Sequence, residues 1–347
     1  MNFYTKQHQY YCGVDLHART LHVCILDQLG EVLVHRGIPA TPEAFLRLVK
    51  PYREDLVVGA ECMFTWYWLA DWCLEHEIHF VLGHALYMKA IHGGKTKNDK
   101  IDSDKIARLL RGGTMPQAYV YPSSMRSTRD LLRRRMYLVH KRAELLAHIQ
   151  NTNSQYNLAP FGKKLAFPAN RRGVAERFTD LGARKSVEVD LAMLEQFDPV
   201  IQDLELYLVR HAKVNDPQMY FRLQTVKGVG KALGLVLMYE IHDINRFPRV
   251  QDFVSYSRLV KCEKTSAGKS YGHSGNKIGN AHLKWAFSEA ACLFMRASDQ
   301  AKKFVAKREQ KHGKGKAMGI LAAKMGRSVY QMLRKGDAFD EKVFFAN

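Results

Sequence analysis

The apolar residues of this chain change their period near Pro122, and that change constrains the fold more than any other feature. Before it, apolar runs have strand length. YYCGVDLH and TLHVCILD are followed by QLGE, a turn, and then by VLVHR, which predicts a three-stranded antiparallel meander over the first forty residues. Thr41 and Pro42 have the character of an N-cap and first-turn proline for a helix reaching about Tyr52. DLVVGAE then forms a short buried strand ending at Glu61, a helix runs from about Thr65 to Glu77, and IHFVLG is a further strand. Lys100 to Arg111 carries helical periodicity through Ile101, Ile106, Leu109 and Leu110. A meander followed by alternating strands and helices predicts an α/β domain with a mixed sheet over residues 1–122.

After Pro122 the spacing is that of long helices. Leu132, Met136, Val139, Ala143 and Leu146 form one seam, and Leu194, Phe197, Ile201, Leu204 and Leu208 a second. Two helices folded back on each other predict a coiled-coil arm over residues 123–216, a surface for self-association, with a kink or break at Pro199. Residues 217–347 predict a third, mostly helical domain. Its LQTVKGVGKALG is a helix end, a Gly-x-Gly turn and a new helix, a helix-hairpin-helix-like pattern whose amides and neighbouring Lys227 and Lys231 suit a phosphate. The Gly-, Ser- and Lys-rich stretch KCEKTSAGKSYGHSGNKIGN then precedes the apolar helix HLKWAFSEAACLFMR.

Charge narrows the partner. Lys and Arg number 53 against 34 Asp and Glu, a formal +19, which points to a polyanion such as nucleic acid. Between Lys302 and Lys335 there are eleven basic residues and one acid, Glu309, a run suited to a phosphate backbone. The six cysteines show no zinc spacing and read as buried, reduced thiols, and no leader or membrane-length apolar run is present, so the expected location is the cytoplasm, with no membrane partner. His17, His22 and His35 alternate with apolar residues and are expected as exposed strand positions, and Trp66, Trp68 and Trp72 as core.

The acids carry the chemistry. Asp15 and Glu61 each end an apolar strand, where an unpaired carboxylate is costly, so two of them at one sheet edge suit a hard cation. In KNDKIDSDKIA, residues three apart on a helix lie about 60° from each other, so Asp99 and Asp102 share a face. Asp104 points away and is expected in solvent, with Lys105 balancing it; an N-cap role is the alternative for Asp99. Four carboxylates suffice for two Mg²⁺ ions acting on a phosphodiester. Lys97 and Lys100 lie near enough to meet the scissile strand.

With those residues in place, YCGVD, VGAE, KNDKIDSDKIARLL and, later, VKGVGKALG, FVSYSRLV and TSAGKSYGHSGNKIGNAHLKWAF, the chain resembles the DEDD-type insertion-sequence transposases, the insertion-sequence one-ten family with its eleven-eleven branch, from about Tyr10 to Arg334. The resemblance implies an RNase H-like, RuvC-type first domain whose four acids are Asp15, Glu61, Asp99 and Asp102. It implies a serine nucleophile at Ser266, with Thr265 and Ser270 as neighbouring alternatives, acting through a covalent phosphoserine. It further implies DNA recombination guided by an element-encoded bridge RNA, contacts from Lys269 and Lys277, and a homo-oligomer, dimer or tetramer, in which the acids of one subunit meet the serine of another. A junction nuclease using water as nucleophile and a non-catalytic nucleic-acid-binding protein are the competing readings. Two departures stand out: Cys62-Met63-Phe64 follows Glu61 where many relatives have Ala-Thr-Gly, and Asn276 stands where many have serine.

Overall fold

A computed structural model describes residues 2–91, 98–260, 262–274 and 278–346. The chain divides into two compact units, Met1–Ser124 and Met125–Asn347.

In the first unit, β1 (Phe3–Tyr4) pairs with β7 (Met115–Pro116). The main sheet holds β2 (Tyr10–Leu16), β3 (Thr20–Leu26), β4 (Val32–Pro39), β5 (Leu56–Glu61) and β6 (His79–Gly83) in the order β4-β3-β2-β5-β6. The meander is antiparallel, and β5 and β6 add in parallel to β2, so the sheet is mixed as expected. Alternation sorts the residues of β2 and β5 between two faces. Cys12, Val14, Val58 and Ala60 pack beneath α1 (Pro42–Val49) and α2 (Trp66–Glu75), whose Phe45, Trp66, Leu69 and Trp72 complete that core. Trp68 packs against it half-buried, so all three tryptophans serve the core. Tyr11 and Val57 face the other way, onto Ile106, Ala107, Leu109 and Leu110 of α4 (Asp99–Arg111); α3 (Ala85–Ile91) precedes it. Thr41 Oγ1 caps α1 by accepting from Ala44 N–H at 3.2 Å, with Pro42 in its first turn.

Two glycines set how closely α4 lies on the sheet. A Cβ on Gly13 would stand 2.1 Å from the Ser103 carbonyl oxygen and 2.4 Å from the Ala107 nitrogen, and one on Gly59 would stand 2.8 Å from Leu110 Cδ1. The absence of a side chain at Gly13 lets helix backbone touch strand backbone there.

The second unit begins with α5 (Ser123–Gln155, whose first two residues precede the boundary) and α6 (Leu181–Asn215). They run antiparallel: Arg135 pairs with Glu205, Arg142 Nε donates to Asp198 at 2.5 Å, and His148 contacts Asp190 at 2.5 Å. Leu132, Met136, Leu194, Ile201 and Leu208 are buried as the seams require, whereas Ala143, at mid-arm, is exposed. The predicted break at Pro199 is not present; α6 continues through it. One proline removes one ladder bond, and here Asp198, held by Arg142 and Arg171, together with buried Leu194 and Ile201 keeps both halves packed.

Around this pair lie α7 (Pro217–Gln224), α8 (Lys231–Ile241), α9 (Val250–Tyr256), α10 (Ala281–Ala297), α11 (Asp299–His312), α12 (Lys314–Lys335) and α13 (Glu341–Ala346), sharing a core that includes Tyr220, Tyr239, Phe253, Phe287 and Phe294. Inside that core Glu240, fully buried, accepts from Arg129, Arg133 and Asn280. The Gly-, Ser- and Lys-rich stretch holds a hairpin that was not expected, β8 (Cys262–Ser266) and β9 (Lys269–Ser274). Its polar residues on both faces hide the strand alternation, and Ala267 and Gly268, with φ of +48° and +74°, close a two-residue turn between the paired Ser266 and Lys269. Among the described residues no helix is long and apolar enough to cross a membrane.

Candidate metal centre

Asp15 and Glu61 follow the last paired positions of β2 and β5, Val14 and Ala60, so the two acids stand side by side at one sheet edge. By alternation they share the face of Gly13 and Gly59, the face that α4 covers. Helix α4 starts at this edge. Its N-cap is Asn98, whose Oδ1 accepts from Ile101 N–H at 2.8 Å, so Asp99 is released from the capping role and occupies the first helical position. Close packing at Gly13 therefore carries Asp99 and Asp102 to the edge that ends in Asp15.

The residue joining them is one that sequence reasoning set aside. His17 Nε2 lies 3.3 Å from Asp15 Oδ2 and 3.3 Å from Asp99 Oδ1. The His17 ring is partly exposed, whereas His22 and His35 are half-buried, not exposed: His22 is the register partner of Asp15, and its ring meets that of His35 edge-on at 5.4 Å. His35 Nε2 donates to the Lys100 carbonyl oxygen at 2.8 Å, which ties β4 to the first turn of α4. The available signal was spacing, since Asp15 and His17 are two apart and an antiparallel neighbour of Asp15 must be His22. Burial first, with the charges of Asp99 and Asp102, pushes the Asp15 carboxyl above its usual range against the pull of His17.

Asp102 is mostly buried, and Lys105 Nζ stands 3.4 Å from its Oδ1. Lys105 thus balances Asp102 and not Asp104. Asp104 is not left to solvent: it accepts from Arg108 Nε at 2.8 Å and faces the buried Cys24 thiol at 3.8 Å, because a turn of α4 lies directly over β3. Glu61 is half-buried at the strand end, where Cys62 N–H donates to the Gly83 carbonyl at 2.9 Å. Asp15, His17 and Asp99 each offer one atom, all within 4.8 Å of one another, so the described residues fit a divalent cation in donor type and spacing.

Ser266 ends β8 in the second unit; it is exposed, as are Thr265, Ser270 and Lys269. Lys100 is exposed in α4 and Lys231 at the start of α8, while Lys227 pairs with Glu341. Gly228 beside it has φ +89°, and a Cβ there would stand 2.5 Å from the Ala290 carbonyl, so this glycine of the Gly-x-Gly turn serves packing onto α10, whereas a Cβ on Gly230 would meet nothing within 4 Å. Lys97, Asn276 and Lys277 lie outside the described residues. Of the thiols expected to be buried, Cys62 is exposed and Cys292 half-buried.

Two family profiles match the chain: a DEDD transposase profile of the IS110 group over residues 12–157, and the transposase IS116/IS110/IS902 family over residues 221–306. The chain is 22% identical to the transposase for insertion sequence element IS1111A of Coxiella burnetii over 334 residues, 94% of this chain and 90% of that one. It is also 23% identical over 205 residues to y4qE, a candidate transposase of Sinorhizobium fredii, covering 58% of this chain and 49% of that protein.

Proposed function

The chain is an insertion-sequence transposase of the DEDD, IS110 type, an enzyme of DNA strand transfer, and from that premise we propose that Asp15, Glu61, Asp99 and Asp102 hold divalent metal at the edge of an RNase H-like, RuvC-type domain while Ser266 attacks the DNA. The observation that carries the reading is the gathering of Asp15 and Asp99 about one buried nitrogen, with Asp102 one turn further along α4. Carboxylates crowded in this way repel unless a cation neutralises them. An all-oxygen set selects a hard ion such as Mg²⁺, which when bound neutralises the phosphodiester and steadies the attacking and leaving oxygens, as two ions in the arrangement proposed here.

The chain's own residues do the rest. Ser266 Oγ bonds to phosphorus, the bond from phosphorus to the leaving deoxyribose oxygen breaks, and the proton given up by the serine hydroxyl ends on that oxygen. Attack by the hydroxyl of an incoming strand reverses the exchange and frees the serine, so the phosphodiester energy is kept. Exposure at a hairpin turn, with Lys269 as register partner, suits a nucleophile that must meet a polymer. Basic side chains on α11 and α12, Lys303, Lys307, Lys314 and Lys316 among them, supply sequence-independent phosphate contacts for donor DNA, target DNA and an element-encoded guide RNA.

The homo-oligomer reading has its own support. Met193, Val200, Tyr207 and Val214 recur every seven residues on α6, and all are exposed, which is a second seam outside the one that packs on α5. The chemical test uses Ser266→Ala with the acids intact on DNA carrying the element ends. The native protein is expected to leave a covalent protein–DNA adduct on a denaturing gel, and the variant none. Cleaved ends without adduct in the native protein point to water as nucleophile and overturn the serine role.

A further inference from the structure

His17 has a geometry that an ordinary ion pair does not explain. Its backbone is pinned just past β2, where His17 N–H donates to the Thr20 carbonyl at 3.0 Å. The ring is 42% exposed, yet Nε2 itself is shut off from solvent and makes no hydrogen bond of normal geometry among the described residues. That nitrogen carries at most one hydrogen, so it can donate to one carboxylate only, and 3.3 Å to each is beyond the usual N–H···O range of roughly 2.7–3.2 Å. The same spacing is what ligands of one ion show. With ligand bonds of about 2.1 Å, adjacent donors stand about 3.0 Å apart in an octahedron and about 3.4 Å in a tetrahedron. The two separations from His17 Nε2, 3.3 Å each, already lie in that range, and all three donor atoms lie within 4.8 Å of one another.

The donor type then matters. Mg²⁺ is held by oxygen, keeps its waters and is rarely bound through nitrogen, whereas imidazole suits transition-metal ions. We propose that His17 Nε2 is a ligand of the site beside Asp15 Oδ2 and Asp99 Oδ1, and that this nitrogen makes the site select a transition-metal divalent cation, with Mn²⁺ preferred to Mg²⁺. The inference rests on the reading of Asp15 and Asp99 as metal ligands, and it replaces the all-oxygen preference for Mg²⁺ by a mixed one.

The test uses the full chain with Mn²⁺ alone as probe, read by electron paramagnetic resonance without DNA. Electron spin echo modulation of bound Mn²⁺ is expected to show nitrogen coupling in the native protein and in His22→Gln, and to lose it in His17→Gln. His17→Gln is also expected to weaken Mn²⁺ binding by at least roughly tenfold, the lower end of what loss of a supporting contact to a ligand costs. Mg²⁺ should compete poorly with Mn²⁺ in the native protein and comparably in the variant. If native protein saturated with Mn²⁺ shows no nitrogen coupling while Asp15→Asn releases the ion, the acidic site stands and the role of His17 is overturned. If Asp15→Asn leaves Mn²⁺ binding unchanged, the acidic site itself fails and the inference with it. Equal displacement of Mn²⁺ by Mg²⁺ in the native protein overturns the selectivity.

Discussion

Replacing Gly13 by alanine is the most direct test of how the metal centre is assembled. The added methyl would stand 2.1 Å from the Ser103 carbonyl oxygen and 2.4 Å from the Ala107 nitrogen, both backbone atoms of α4. A carbon and a carbonyl oxygen need about 3.3 Å, so the helix has to lift by roughly 1 Å, and overpacking of that kind costs about 1–3 kcal/mol. For a unit of this size the melting temperature should fall by roughly 4–12 °C. Function should suffer more, because Asp99 and Asp102 ride on the displaced helix while Asp15 stays on the strand; a misplacement near 1 Å costs about a hundredfold in rate. Gly59→Ala is the graded control. Its methyl would meet Leu110 Cδ1 at 2.8 Å, the mobile end of a side chain, so a rotamer change relieves it and losses should be smaller on every readout. Calorimetry, Mn²⁺ titration and strand transfer on both variants give the comparison. If Gly13→Ala matches the native protein in melting, metal affinity and activity, or if Gly59→Ala is the more damaging, the packing argument is wrong.

Four further outcomes follow from the second unit. Burial alone would raise the Glu240 carboxyl, but the hydrogen bond from Arg133 and the charges of Arg129 and Arg133 hold it at about 2. A depressed carboxyl contributes stability that is present above the unfolded value and lost as pH falls toward the folded one. Urea midpoints should therefore drop between about pH 4.5 and pH 2 by the equivalent of roughly 3 kcal/mol, and in Glu240→Gln this drop should be missing. The same variant should be weaker at neutral pH by about 3–5 kcal/mol, because two arginines lose their buried counter-charge. Met193→Glu with Val200→Glu should lower the oligomeric mass in sedimentation at equal concentration while the melting temperature holds, since both side chains are exposed in the monomer. Lys303→Glu with Lys307→Glu on α11 should weaken binding to any DNA sequence alike and flatten the dependence of affinity on salt by about two phosphate contacts, measured by fluorescence anisotropy.

The strands of the main sheet, the cap of α1 and the order of those elements in the first unit were legible because they are local properties. Val14 and Val58 reveal a strand by period and chemistry, and Thr41 with Pro42 reveals a helix start, before any distant residue is considered. The pairing of Asp99 with Asp102 was legible for the same reason, being a matter of helix angle. The hairpin at Ser266 escaped because polar residues on both faces leave no alternation to read, and the outer stripe of α6 because it lies one residue from the seam that packs.

Tertiary structure decided what those residues meet. Sequence by itself placed acids at strand ends and on one face of a helix, but it could not say that Asn98 and not Asp99 caps α4, that Arg108 and not solvent receives Asp104, or that Lys105 answers Asp102. Those three contacts lie within α4 itself; packing adds that Asp104 faces Cys24 and that His35 holds the Lys100 carbonyl, and the backbone contact at Gly13 sets how closely α4 lies on the sheet for both. The same contact brings Asp99 across more than eighty residues of chain to His17 and Asp15. Period and capping act within a few residues and are written in order along the chain, whereas the donors of a metal site are gathered by packing between elements far apart in it.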